Sequence, residues 1–161
     1  MERFEIRKTK REDLKDIMKI FKSWKPQDWD TENAHEYFKE FFRNKSCPHD
    51  QFFVGIIDNK IVSVIGYCPD RLNEIGVYWL GWFYTHKDYN HRGIGKSMFD
   101  FVISELKVKK ACRLFVNTSS DEFYKPAMNF YQKMGFKKIN VDEDFYEEGE
   151  DKIIMSKNLD E

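Results

Sequence analysis

The chain has 161 residues, long enough for one domain with a real core, and no Pro/Gly/Ser-rich linker or break in composition divides it, so a single domain over 1–161 is expected. Its 27 Lys and Arg against 28 Asp and Glu leave a net charge of −1, which gives no general attraction to nucleic acid or to a membrane surface. No run approaches the roughly 18 apolar residues of a membrane span, the charged start Met1-Glu2-Arg3 lacks a signal peptide's apolar core, and three cysteines without a Cys-x-x-Cys pair point to reduced thiols, so a cytoplasmic protein is expected.

In chain order, residues 4–7 read as a short strand. Thr9 followed by Glu12 has the spacing of a capping box, opening a helix whose Leu14, Ile17, Met18 and Phe21 share one face. Trp24-Lys25-Pro26-Gln27-Asp28-Trp29-Asp30 breaks that helix; its tryptophans either cover the core at a helix corner or, with the aspartates, contact a cationic group. A second amphipathic stretch follows with Ala34, Tyr37, Phe38, Phe41 and Phe42. Cys47 and His49 alone do not make a metal site, and no metal is expected. Residues 52–57 and 61–67 are β-rich runs around Asp58-Asn59-Lys60, a tight turn between antiparallel strands.

Residues 75–85, Ile-Gly-Val-Tyr-Trp-Leu-Gly-Trp-Phe-Tyr-Thr, are too continuously apolar for a strand with one wet face, so this strand is expected to be central in a sheet. Polar residues 86–92 lead into Gly93-Ile94-Gly95-Lys96-Ser97, after which Met98, Phe101, Val102 and Leu106 recur at helical spacing. A helix therefore starts at the glycines. Its first N–H groups lack intrahelical acceptors, so an anion fits there if no side chain obstructs it. Gly93 and Gly95 remove the obstruction, and His91, Arg92 and Lys96 could add charge-assisted contacts to a phosphate. The alternative is a tight turn that needs glycine only for its backbone angles. A P-loop would need its first glycine at Asn90 and a dinucleotide fingerprint its third at Met98; neither is present.

Residues 113–117 read as a strand parallel to the central one, completing a β-α-β unit. Pro126 can begin a helix carrying Ala127, Phe130, Tyr131 and Met134, with Gly135 placed to end it. Residues 136–139 and 153–157 supply two more strands. Between them residues 142–151 concentrate acidic side chains around Phe145 and Tyr146, either as a solvated turn or as a loop over a pocket mouth that favours cationic ligands.

Residues 83–95, Phe-Tyr-Thr-His-Lys-Asp-Tyr-Asn-His-Arg-Gly-Ile-Gly, follow the pattern Gln/Arg-x-x-Gly-x-Gly/Ala between a central strand and a helix, and residues 130–136, Phe-Tyr-Gln-Lys-Met-Gly-Phe, match Phe-Tyr-x-x-x-Gly-Phe. With both motifs in this order the chain resembles the GNAT superfamily of acyl-CoA-dependent N-acyltransferases over nearly its whole length, most strongly over residues 79–139. Asn90 stands where Gln or Arg is usual, and the central strand lacks the acid that serves many relatives as general base. The resemblance implies an α/β (α+β) GNAT-like fold, a central mixed twisted sheet of about six to seven strands flanked by about four helices.

It also implies acetyl-CoA as co-substrate, its pantetheine along Phe83, Tyr84 and Thr85. The pyrophosphate would lie on the amides of Arg92, Gly93, Ile94, Gly95 and Lys96, beside His91, with Asn117 facing the same cleft. An acceptor amine would attack directly while a strand N–H near Phe83 or Thr85 polarises the carbonyl. Tyr131 matches the tyrosine that protonates the departing thiolate, although helix tyrosines at apolar spacing also simply pack. An alkylamine with a pKa of about 10.4 is free base at only about one part in 2,500 at pH 7, so a base or a desolvating site must assist. Glu74, His86, Asp144 or an ordered water could serve. The acceptor is expected to be a cationic primary amine, of a small molecule or a peptide, and the protein a monomer or homodimer. A CoA-binding sensor or interaction module without turnover is the alternative.

Overall fold

The computed structural model describes residues 2–24, 28–43, 49–72 and 74–160, Asp28 and Trp29 by their backbone alone. Its strands are β1 (Phe4–Lys8), β2 (Gln51–Ile57), β3 (Lys60–Pro69), β4 (Val77–Thr85), β5 (Arg113–Ser119), β6 (Lys137–Glu147) and β7 (Glu150–Asn158). They form a mixed seven-stranded sheet in the order β1-β2-β3-β4-β5-β7-β6. Four α-helices occur among the described residues: α1 (Leu14–Ser23), α2 (Asp28–Phe42), α3 (Ile94–Val108) and α4 (Lys125–Lys133). The chain groups into two compact units that share β4, one comprising Met1–Cys68 and Leu80–Leu106, the other Pro69–Trp79 and Lys107–Glu161.

In the first unit β1, β2 and β3 pair antiparallel. Asp58 and Asn59, at φ 46° and 69°, make the two-residue turn that matches strand twist, and Lys60 already pairs with Ile57. Ile17, Ile20 and Phe21 of α1 meet Ala34 and Phe38 of α2 over Val54 and Val64. Met98, Val102 and Leu106 of α3 are fully buried. The helix comes close to β2 because Gly55 has no side chain: a Cβ there would stand 2.7 Å from the Met98 sulfur.

In the second unit Val77–Trp79 pair parallel with Arg113–Phe115, and β7 runs antiparallel between β5 and β6. Gly76, at φ 81°, accepts from the Cys112 and Arg113 amides through its carbonyl, so β4 starts at Val77 and Ile75 lies outside it, almost fully exposed.

Two sequence expectations change. Thr9 and Glu12 do not cap α1; the Thr9 hydroxyl donates to the Phe52 carbonyl at 3.2 Å. Asp13 instead closes the short 3-10 turn Arg11–Asp13 that leads into α1: its carboxylate accepts the Lys10 amide at 2.7 Å and is gripped by the Arg7 guanidinium at 2.7 and 3.0 Å. The acidic stretch is not a free loop either. β6 extends to Glu147 and β7 resumes at Glu150, with register shifts marking irregularities in the ladder; acids facing water on an outer strand carry the same polarity as a loop. The corner residues 25–27, the Trp29 side chain and Cys47 lie outside the described residues.

Burial alone would raise the Asp13 carboxyl, but the bonds from Arg7 and Lys10 outweigh it and hold the group below its ordinary value of 3.8. Its contribution to stability is therefore present at neutral pH and fades as pH falls through that lower folded value. Asp13→Asn is expected to lower unfolding free energy by about 1–3 kcal/mol at pH 7, as urea denaturation will read, and the gap from wild type should narrow below about pH 4.

Candidate active site

β4 carries its strain at one residue. Trp82 has φ 44°, a left-handed conformation that costs a tryptophan roughly 1–3 kcal/mol and persists only where its surroundings impose it. They do: its ring packs edge-on to Phe21 at 5.7 Å and lies 6.0 Å from Tyr37. Beyond it the strand end is fixed by side chains. Ser63 donates to the Tyr84 carbonyl at 2.9 Å and meets the Thr85 hydroxyl at 3.0 Å; the Trp24 indole donates to the Thr85 carbonyl at 2.6 Å; the His86 amide donates to Val62 at 2.7 Å. Trp24 of the predicted corner thus ties α1 to β4.

The turn into α3 follows. His86 Nδ1 accepts from the Asp88 amide at 3.1 Å, closing a short 3-10 turn over Lys87–Tyr89. His91 at φ 61° and Gly93 at φ 78° flank Arg92, an alternation that turns successive N–H groups towards one concavity. The Ser97 amide bonds to the Gly93 carbonyl at 3.1 Å, the first rung of α3, so the amides of Ile94, Gly95 and Lys96 have no intrahelical acceptor. A Cβ on Gly93 would meet nothing of the protein within 4 Å, leaving that side of the turn accessible. These features fit a phosphate. The Ile94 side chain is buried, so that residue offers only its backbone. Arg92 lies over the Tyr89 ring at 5.0 Å and 3.6 Å from Glu2, Lys96 pairs with Asp100 at 2.7 Å, and Asn90 and His91 side chains meet at 3.1 Å.

In the second unit Tyr131 is buried on α4, its ring 5.5 Å from Phe136, and desolvation pushes its phenol well above the usual range. It therefore remains an O–H donor at neutral pH. Asn117 is exposed on β5. Of the candidate bases, Glu74 precedes β4 whereas the glycine turn follows it, His86 uses Nδ1 for its turn, and Asp144 uses a carboxylate oxygen for the Gly149 amide at 2.7 Å. A further carboxylate, named in the sequence only as part of the tryptophan corner and not as a base, is Asp30: buried on α2, it accepts from the Tyr84 hydroxyl at 3.3 Å across 54 residues of chain. Its sequence neighbourhood stood out, but its link to the strand depends on helix packing.

The family model "Acetyltransferase (GNAT) family" matches residues 14–136. The chain therefore belongs to the GNAT acetyltransferase family, and it is an acyltransferase of the class that uses acetyl-CoA as co-substrate. It is similar to the N-alpha-acetyltransferase of Saccharolobus solfataricus, 23% identical over 97% of this chain and 93% of that protein. The Sulfurisphaera tokodaii protein of the same name is 27% identical with the same coverage. Among solved structures, a GNAT-family protein from Desulfovibrio desulfuricans superposes with TM-score 0.89 at 23% identity over 98% of this chain and 99% of that one. The ribosomal-protein-S18-alanine N-acetyltransferase of Escherichia coli does so with TM-score 0.77 at 17% identity, over 98% and 94%. Among the described residues no cluster of three or more His, Cys, Asp or Glu could hold a metal, and no helix is long and apolar enough to cross a membrane.

Gly93→Ala separates a structural turn from a binding one. The alanine meets no neighbour but must adopt a left-handed backbone, so stability is expected to fall by about 1–2 kcal/mol. If the open side receives a phosphate, acetyl-CoA affinity measured by calorimetry should fall at least about tenfold in protein that is still fully folded; unchanged affinity would leave the glycine a turn residue only.

Proposed function

We propose that the protein transfers the acetyl group of acetyl-CoA to a primary amine by direct attack, and that the α-amine of a peptide or protein chain is its preferred acceptor. The observation that carries this reading is the turn into α3, with its left-over amides and open glycine following a fixed strand end. The amides of Gly93, Ile94, Gly95 and Lys96 hold the pyrophosphate, with His91 and Arg92 at its flank. Phe83, Tyr84 and Thr85 line the pantetheine, and a β4 N–H near Phe83 donates to the carbonyl oxygen as negative charge builds on it. Tyr131 is assigned from the family motif as proton donor to the leaving thiolate, and Asn117 from the family resemblance to the cofactor.

The relatives named N-alpha-acetyltransferase, each matched over 97% of this chain, support an α-amine acceptor. Physical chemistry supports it too. An α-amine with a pKa of about 7.8 is free base at about one part in seven at pH 7, hundreds of times more than a lysine-like amine, so a weak base suffices. We assign that proton to Asp30, through the Tyr84 hydroxyl. Asp144 and Glu147, acidic residues on β6 beyond residues 137–143, favour acceptors with further positive charge.

The test is turnover of acetyl-CoA against peptides with free and blocked N-termini, polyamines and aminoglycosides. Free N-termini with basic residues should be acetylated fastest; faster turnover of neutral or anionic amines would remove the charge preference, and inactivity on every amine the reaction itself. Tyr131→Phe and Asp30→Asn should each lower kcat about 100-fold while acetyl-CoA affinity is kept. Wild-type turnover in either variant removes that residue's role.

A further inference from the structure

Among the described residues β6 is the last strand of the sheet and pairs with β7 alone, so its outer edge carries ladder N–H and C=O groups facing away from the sheet. Six of its first seven residues are exposed, among them two aliphatic side chains, Ile139 at 53% and Val141 at 45%. Their order is Lys137-Lys138-Ile139-Asn140-Val141-Asp142-Glu143. Read about Asn140, this segment is chemically palindromic with inverted charge: two bases, an aliphatic, an amide, an aliphatic, two acids.

We propose that this edge is a self-association surface and that its partner is a second copy of the same strand, paired antiparallel about a two-fold axis at Asn140. In that register Lys137 faces Glu143, Lys138 faces Asp142 and Ile139 faces Val141, each twice, and the two Asn140 side chains meet at the axis. Directly opposite residues of antiparallel strands are the pairs that interact, so every pair in this register is favourable. A parallel in-register pairing instead sets lysine against lysine and acid against acid. Natural edges are usually blunted by scattered charge, whereas here the charge is segregated so that one pairing alone is complementary.

Two features bound the strength. Ile139 is the extra residue of an irregularity between Lys138 and Asn140, and such bulges add twist and shorten a ladder. The Asn140 amide already donates to Asp142 at 3.0 Å, so that acid brings a partner with it. The dimer is therefore short-edged, charge-dependent and reversible. It does not rest on the reaction assigned above, and the oligomeric state is read without activity.

The experiment is sedimentation velocity of the full chain at micromolar concentrations. The wild type should dimerise, and more weakly in about 0.5 M than in about 0.05 M salt. K137E/K138E and D142K/E143K should each be monomeric, since each sets like charges opposite one another, and an equimolar mixture should restore a dimer because every pair is then opposite in sign. Asn140→Cys, on the axis, should give a disulfide-linked dimer under mild oxidation, and this does not depend on the charge variants folding. A monomeric wild type, reversed variants that still dimerise, a mixture that stays monomeric, or no cross-link at Asn140→Cys would each overturn the proposal.

Discussion

An α-helix cannot satisfy its own first N–H groups, and this requirement at the start of α3 governs the functional architecture. Three amides, of Ile94, Gly95 and Lys96, are left without intrahelical acceptors at a turn whose outer side is open at Gly93. Water could satisfy them, but the residues around them do more than a loop requires. The Ser63 hydroxyl, the Trp24 indole and the Val62 carbonyl fix the end of β4 immediately before the turn. The left-handed Trp82 is held by aromatic packing in the helical layer. Strain of roughly 1–3 kcal/mol set against aromatic contacts of about 0.5–1.5 kcal/mol each is a local balance that keeps the bend while the core stays intact.

In the proposed phosphate site, the charges around the turn leave the backbone to carry the binding. Arg92 lies by Glu2 and Tyr89, and Lys96 is paired with Asp100, so neither cation faces water alone. Exposed pairs of this kind are worth little and exchange readily, so both side chains can turn to a phosphate when one arrives. The amides are fixed in direction and need no rearrangement. Such a cradle loses less affinity to salt than one built from lysines and arginines alone. Tyr131 shows the complementary principle: burial keeps its phenol protonated, which suits the donor role proposed for it.

Local signals in the sequence were sufficient for most of the fold. The continuous apolar run named the central strand, the glycines and periodicity named α3, and Pro126 and Gly135 bounded α4, because each rests on contacts within a few residues. Three features lay beyond that reach. The 3-10 turn that leads into α1 is closed by Asp13 rather than by Thr9 with Glu12, since Arg7 on the preceding strand fixes the acid. Most of the acidic stretch is strand, with the turn confined to residues 148–149, since an outer strand open to water has no alternation to betray it. Asp30 meets Tyr84 only once α2 packs on the sheet, so no spacing rule could find it. Backbone features of the candidate site were thus legible, whereas its carboxylate depended on long-range packing.

Assignment of the acetyl-CoA phosphates to the amides at the start of α3 is the proposal on which the rest depends. It is tested most directly by following the backbone amide resonances of Gly93, Ile94, Gly95 and Lys96 by NMR while CoA is added. These resonances should move together, saturate with one equivalent and rank among the largest shifts in the protein, because each amide gains a charged acceptor. CoA binding that leaves them in place, or no saturable binding at all, would contradict the account and return the glycines to the role of a tight turn.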